Sequence, residues 1–258
     1  MRIIISPAKK MKTDTDFMDY SQVPQFINES KTLLALLQKL NYEEAKSLWK
    51  CNDTIATLNV ERISHMDVNQ NLTPAIFSYE GIQYQYMAPG IFQTEELEYL
   101  QQHLRILSGF YGIVRPFDGV VPYRLEMQAK LSGPGFGTLY EFWNRKLADQ
   151  LFSESDTILN LASKEYSKCI APYIAGNVRM VSCVFGQEIG GKVVERATLV
   201  KMARGEMVRF MAERQITCVE DIKDFDGFDF SFADELSDES TYVFIQKKRD
   251  KNSVIEAE

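Results

Sequence analysis

Residues 2–6, RIIIS, are a β-branched run that stops at Pro7, and the combination reads as a buried strand followed by a turn. Strand and helix signals then alternate along the chain, with no internal repeat and no low-complexity linker. Ser30 is placed to cap a helix with Leu33, Leu34, Leu37 and Leu40 on one face. Asn41, with Glu44 three residues on, makes a capping box for a second helix, and Asn52 with Asp53 opens a third. Thr94, followed by Glu95 and Glu96, predicts a helix with Leu97, Leu100, Leu104 and Leu107 in one stripe, closed by Gly109. Thr138 and Glu141 form another capping box, for a helix whose core face is Leu139, Phe142, Leu147 and Leu151. Extended segments follow at 157–163, 180–185, 192–195, 228–232 and 241–246, with one long helix over roughly 198–214 among them. The pattern predicts a single α/β domain over residues 1–246, a mixed sheet surrounded by helices. Residues 247–258 read as a charged tail and are expected to be disordered.

A hydrophobic content of 45% gives such a domain ample core. The first residues lack the long apolar stretch of a signal peptide and no run approaches a membrane span, so a cytosolic protein without a membrane partner is expected. Cys51, Cys169, Cys183 and Cys218 form no CxxC pair, and His65 and His103 have no metal-ligand spacing to them. Reduced thiols are expected, and neither a metal site nor a cofactor is predicted. The net charge of −7 is uneven: residues 219–258 hold 12 acidic and 5 basic side chains, which leaves 24 of each sign in residues 1–218. The body can therefore carry a basic surface, and the low pI does not exclude a phosphate-rich partner.

Four segments could carry chemistry. In RPFDGVVPYRLEM (115–127), Arg115 and Arg124 stand in a proline-pinned, largely apolar stretch with Asp118 and Glu126 close by. Structural ion pairs would explain them. So would phosphate contact with the acids orienting the guanidinium forks, or catalysis with Glu126 as general base. In NLASKEYSK (160–168), Asn160 sits in an apolar strand and Ser163 can cap the helix that starts directly after it, an arrangement that suits an anion, with Lys164 and Lys168 adding charge. SPAKKMK (6–12) repeats the arrangement, with Lys9, Lys10 and Lys12 beyond the turn, although the P-loop pattern is absent. The helix TLVKMARGEMVRFMAER sets Leu199, Ala203, Met207, Phe210 and Met211 on one side and Lys201, Arg204 and Arg209 on the other, around Gly205. A solvated face would explain these cations. The interior glycine instead suggests a position that another chain or backbone approaches closely, and the cationic stripe looks short of i,i+4 acidic partners.

Together, SPAKKM, RPFDGVVPYRLEM, LYEFW, NLASKEYSK and KMARGEMVRF, in this order, resemble the YaaA family, the peroxide stress response protein family, over nearly the whole chain. That resemblance implies a compact fold, a helix-hairpin-helix element beside a positively charged cleft, binding to double-stranded DNA, and protection against hydrogen peroxide linked to lower free intracellular iron. It implies no established catalytic activity. The hairpin candidate is LLQKLNYEEAKSLWK, which lacks the glycines such hairpins use. Two function classes are carried forward. The first is a DNA binder with Lys9, Lys10, Lys12, Arg115, Arg124, Lys164, Lys168, Lys201, Arg204 and Arg209 along one cleft, supported by Asp118, Glu126, Asn160, Ser163 and Gly205. The second is an enzyme acting on a nucleotide or nucleic-acid phosphodiester, with Glu126 and Asn160 near the reacting centre. A wide shallow groove would favour the first, and a closed pocket with a perturbed carboxylate the second.

Overall fold

Ile3, Ile4 and Ile5 are completely buried in the structure, a computed structural model that describes residues 1–247. A strand apolar at successive positions has two faces to cover, which suits the middle of a parallel sheet with helices on both sides. Eight strands make that sheet: β1 (Arg2–Ile5), β2 (Leu104–Ser108), β3 (Gly112–Val114), β4 (Thr157–Leu161), β5 (Arg179–Ile189), β6 (Lys192–Val194), β7 (Phe230–Phe232) and β8 (Thr241–Gln246). Their order is β7-β8-β5-β4-β1-β2-β3, and β6 is hairpinned onto the far end of β5. The five central strands are parallel and the two edges antiparallel, so the sheet is mixed, as the alternating signals predict. β1 lies between β2 on one side and β4 on the other, with Ile3 opposite both Leu104 and Leu159.

The described α-helices of six or more residues are α1 (Ile27–Leu37), α2 (Tyr42–Trp49), α3 (Asp53–Ser64), α4 (Ile82–Met87), α5 (Thr94–His103), α6 (Lys146–Glu154) and α7 (Ala197–Glu213). The caps predicted at Asn41 and Asn52 hold, whereas Ser163 makes no side-chain cap on the helical turn after it. Asn41 Oδ1 accepts from the Glu44 N–H at 3.0 Å while Glu44 Oε2 accepts from the Asn41 N–H at 2.9 Å, and Asn52 caps α3 through Ile55. Four expectations are corrected. Ser30 lies inside α1, which starts three residues earlier, and its hydroxyl donates to Phe110 O at 3.0 Å. The stripe through Leu97, Leu100, Leu104 and Leu107 divides: α5 ends at His103 and LRILS becomes a strand buried at every position, because pairing with β1 and β3 outweighs the helical spacing. The helix after Thr138 breaks at Asn144, whose φ is 42°, into Leu139–Trp143 and α6. Phe228 and Asp229 fall in a 3-10 turn ahead of β7.

A helix-hairpin-helix element is not shown. α1 and α2 are joined through Gln38–Asn41 with no glycine, and α2 packs chiefly on α3. No described helix is long and apolar enough to cross a membrane. All but the first residue of the predicted charged tail lies outside the described residues.

Candidate functional site

β1 and β4 end side by side at their carboxyl termini, where the chain leaves β1 toward one edge of the sheet and β4 toward the other. Their loops are pinned together by two serines: the Ser163 N–H donates to Ser6 Oγ at 2.9 Å. Open parallel sheets place ligands outside the carboxyl ends of strands at such a reversal of order, and here a pocket of 420 Å³ opens over Ser6 and Ser163. Three further segments complete its walls. The loop 123–126 crosses the end of β2 because Gly109 has no side chain; a Cβ there would lie 2.4 Å from Leu125 O. Helix α4 contributes Gln83 and Tyr84, the latter donating to Ser6 O at 3.0 Å. Helix α7 contributes Lys201 and Arg204.

The pocket is lined by five cations, Lys9, Lys10, Arg124, Lys201 and Arg204, against three carboxylates, Glu80, Glu126 and Glu165. Glu126 is 9% exposed, and both Lys9 Nζ (3.2 Å) and Arg124 Nη2 (3.4 Å) stand within ion-pair reach of its Oε1, yet that oxygen accepts no well-aimed hydrogen bond. The Nε of Arg124 and the Nε of Arg204 are also buried without a hydrogen-bond partner. Arg204 has no carboxylate within ion-pair distance among the described residues, and burial pushes its pKa down while Glu195 pulls weakly the other way. Burial raises the pKa of Glu165, and the charge of Glu126 adds to the rise, against the Gln128 N–H that donates to Glu165 Oε1 at 3.2 Å. Beneath the pocket, Tyr123 is fixed by Tyr79 (2.9 Å) and Ser108 (2.6 Å). The site thus holds positive charge whose hydrogen-bonding capacity is unspent, which is costly in a protein interior unless an anion completes it.

The structure gathers only part of the predicted set here. Lys9, Lys10, Arg124, Lys201 and Arg204 line the pocket with Glu126 and Ser163. Arg115 does not. It lies at the amino-terminal end of the parallel strands, 3.9 Å from Glu154, in a cluster where Glu154 also takes Arg2 and Arg105 and is held down at a pKa of about 2 against its own burial. Asp118 is no guanidinium partner: its Oδ2 accepts the Arg115 backbone N–H at 2.8 Å and its Oδ1 accepts from Gln22 Nε2 at 2.8 Å. Lys12 is paired with Asp14, Lys164 and Lys168 are exposed away from the pocket, and Arg209 has the i,i+4 partner, Glu213 at 2.7 Å, that the sequence reading overlooked. Asn160 is buried, with its amide used on Ser182 and the Ala162 N–H, and stands apart from the pocket lining. Gly205 is buried as well. The backbone it admits is the chain's own: a Cβ would meet Gln83 O at 2.1 Å.

Sequence reasoning missed Glu165 as a site residue, although its place two residues beyond Ser163 at a strand end was the available signal. It missed α4 altogether, because IQYQYM carries no charge or motif that marks a site.

Comparison with known proteins decides the family. The profile described as peroxide stress protein YaaA matches residues 1–236. The chain belongs to the peroxide stress protein YaaA family. It is 55% identical over 246 residues to a UPF0246 protein of Lachnoclostridium phytofermentans, covering 95% of this chain and 96% of that one. It is 51% identical over 251 residues to a UPF0246 protein of Desulfitobacterium hafniense, covering 97% of this chain and 100% of the relative. A UPF0246 protein of Pediococcus pentosaceus is 47% identical over 251 residues, again with 97% and 100% covered. The family match runs from β1 through β7, so it takes in every segment that lines the pocket.

Proposed function

We propose that this member of the family serves the peroxide stress response by binding DNA, with the phosphate of one nucleotide entering the pocket. The observation that carries the reading is Arg204, a half-buried arginine lining the pocket whose Nε is buried without a hydrogen-bond partner and which has no carboxylate within ion-pair distance among the described residues. A guanidinium offers a planar fork of donors suited to phosphate oxygens, and Arg124 supplies a second one across the pocket. A volume of 420 Å³ is that of a single-ligand site, so double-stranded DNA lies along the mouth, where Lys10 and Lys201 are exposed, and presents one nucleotide inward. In this reading any lowering of free iron follows from the binding and not from a metal site in the pocket.

The test is fluorescence anisotropy of a labelled duplex against the parent and Arg204→Gln at several salt concentrations. Each phosphate neutralised releases counterion with a log–log slope of roughly −0.9, so the variant is expected to bind more weakly on every sequence and to lose about one unit of slope. A variant that melts with the parent and keeps both affinity and slope overturns the reading.

A second reading has one observation in its favour. Glu165, with its raised pKa, shares an enclosed pocket with Glu126, the arrangement in which one carboxylate donates a proton and the other accepts one. In it the pocket hydrolyses a nucleotide or nucleic-acid phosphodiester. The same samples, run on a denaturing gel after incubation, show a shortened strand if this is correct and an intact one if it is not.

A further inference from the structure

Beside the cationic pocket, and separated from it by Glu80, Gly81 and Tyr84, which line both, lies a second cavity of 270 Å³. The partition is thin because residue 81 is glycine; a Cβ there would already touch the Ala8 Cβ at 3.0 Å. The two cavities differ in chemistry. The second is walled by Phe17, Phe77, Tyr79, Tyr84 and Pro89, and its two charged residues are both neutralised, Lys12 by Asp14 at 2.7 Å and Glu80 by Lys10 at 3.1 Å. An ion gains nothing there. A flat, uncharged, polarisable group does.

Phe17 stands at this cavity with 54% of its surface exposed, yet it is held firmly. Its ring sits edge-on to Phe77 at 4.8 Å, and Phe77 rests in turn against Phe117 at 6.3 Å. The segment before it is fastened at three points: the Lys12 N–H donates to Ser78 O (2.9 Å), the Ser78 hydroxyl donates to Lys12 O (2.8 Å), and the Asp14 N–H donates to Thr73 Oγ1 (2.8 Å). A large aromatic ring that is left in water but braced from behind is a stacking platform, the device by which proteins bind unpaired bases without reading them.

We propose that the Phe17 cavity is a nucleobase subsite: an unpaired base, next along the strand from the nucleotide whose phosphate meets Arg124 and Arg204, stacks on the Phe17 ring. The inference rests on the phosphate reading of the neighbouring pocket, and it names the ligand as a DNA strand with an exposed base, at a single-stranded end or an extruded nucleotide, rather than a fully paired duplex. The glycine partition is what allows phosphate and base, joined by one sugar, to reach both cavities at once.

The experiment compares two labelled single strands of equal length, one carrying bases throughout and one abasic throughout, by anisotropy at a fixed salt concentration. Parent protein is expected to bind the base-bearing strand roughly tenfold more tightly, which is at the low end of what one stacked base contributes. Phe17→Ala should bind both strands with the parental abasic affinity, and Phe17→Trp should restore or exceed the parental preference. Equal binding of the two strands by the parent, or a preference that survives in Phe17→Ala, overturns the subsite and leaves the phosphate reading standing. Failure of the parent to bind either strand overturns the subsite, and the duplex titration of parent and Arg204→Gln decides the phosphate reading separately.

Discussion

Asp118 is 1% exposed and accepts two hydrogen bonds, yet burial outweighs them and lifts its pKa to about 6, even with the Arg115 and Arg105 cations pulling it down. A carboxyl whose folded pKa lies above its free value of 3.8 adds stability that is complete below about pH 4 and is lost as pH rises through about 6. With about 1.4 kcal/mol for each pH unit of displacement, the ionised carboxylate costs about 3 kcal/mol at neutral pH. Asp118→Asn keeps an acceptor for the Arg115 N–H, and the Gln22 amide can turn to meet the new amide. The variant is therefore expected to equal or exceed the parent in urea unfolding at pH 8 and to lose the parental gain in stability between pH 7 and pH 5. A parent whose unfolding midpoint stays flat over that range would show that Asp118 is ionised throughout. At this scale the sequence was legible in identity more than in role. RPFDGVVPYRLEM drew attention to four charged residues, of which Arg124 and Glu126 line the pocket and Arg115 and Asp118 do not, and adjacency suggested that Asp118 serves the Arg115 side chain, whereas its carboxylate closes a turn on the Arg115 backbone. Proximity along the chain cannot distinguish a side-chain partner from a turn cap.

Helices α4 and α7 pack more closely than any other pair of helices in the fold, and Gly205 is the reason they can. Helix propensity alone would favour alanine there by about 1 kcal/mol. A Cβ 2.1 Å from Gln83 O and 3.0 Å from Met87 N forces the helices apart instead, and overpacking of this kind costs ~1–3 kcal/mol. Gly205→Ala is thus expected to lower the midpoint of thermal unfolding, with Gly205→Leu lower still. Because Gln83, Tyr84 and Arg204 ride on the displaced helices, both variants should also weaken the proposed DNA binding. An unchanged melting midpoint in Gly205→Ala would contradict the packing. The sequence carried half of this: an interior glycine in a helix announces a close approach, but only the fold shows that the approaching backbone belongs to α4. Strands were the more readable elements, since TYVFIQ, TILNL and the isoleucine run are β-branched and bounded by turn residues. LRILS was not, because its leucines fit a helical stripe equally well and only the partners β1 and β3 settle the matter.

Across the whole molecule the two arginines of one motif are sent to opposite ends of the sheet, Arg124 to the carboxyl ends of the strands with the pocket and Arg115 to the amino ends with Glu154. Membership of the peroxide stress protein YaaA family motivates a test in cells. A strain lacking the protein is expected to die faster in hydrogen peroxide. Arg115→Gln should restore parental survival, and Arg124→Gln and Arg204→Gln should not, provided all three accumulate equally. Rescue by every variant would place the stress function away from the pocket. The alternation of strand and helix made the α/β class readable from the sequence, but the strand order was not, because the place of β1 depends on its pairings with Leu104 and Leu159, both more than a hundred positions from Ile3. The position of β1 has a further consequence, for the way the protein is made. Ile3 must find Leu104 on one side and Leu159 on the other, so during synthesis the isoleucine strand leaves the ribosome well before either neighbour exists. At ~5–20 residues per second of elongation, it spends on the order of ten seconds as an uncovered, strongly β-forming segment. The first strand made is therefore among the last to be paired, since its place in the sheet opens only after the middle of the message has been read.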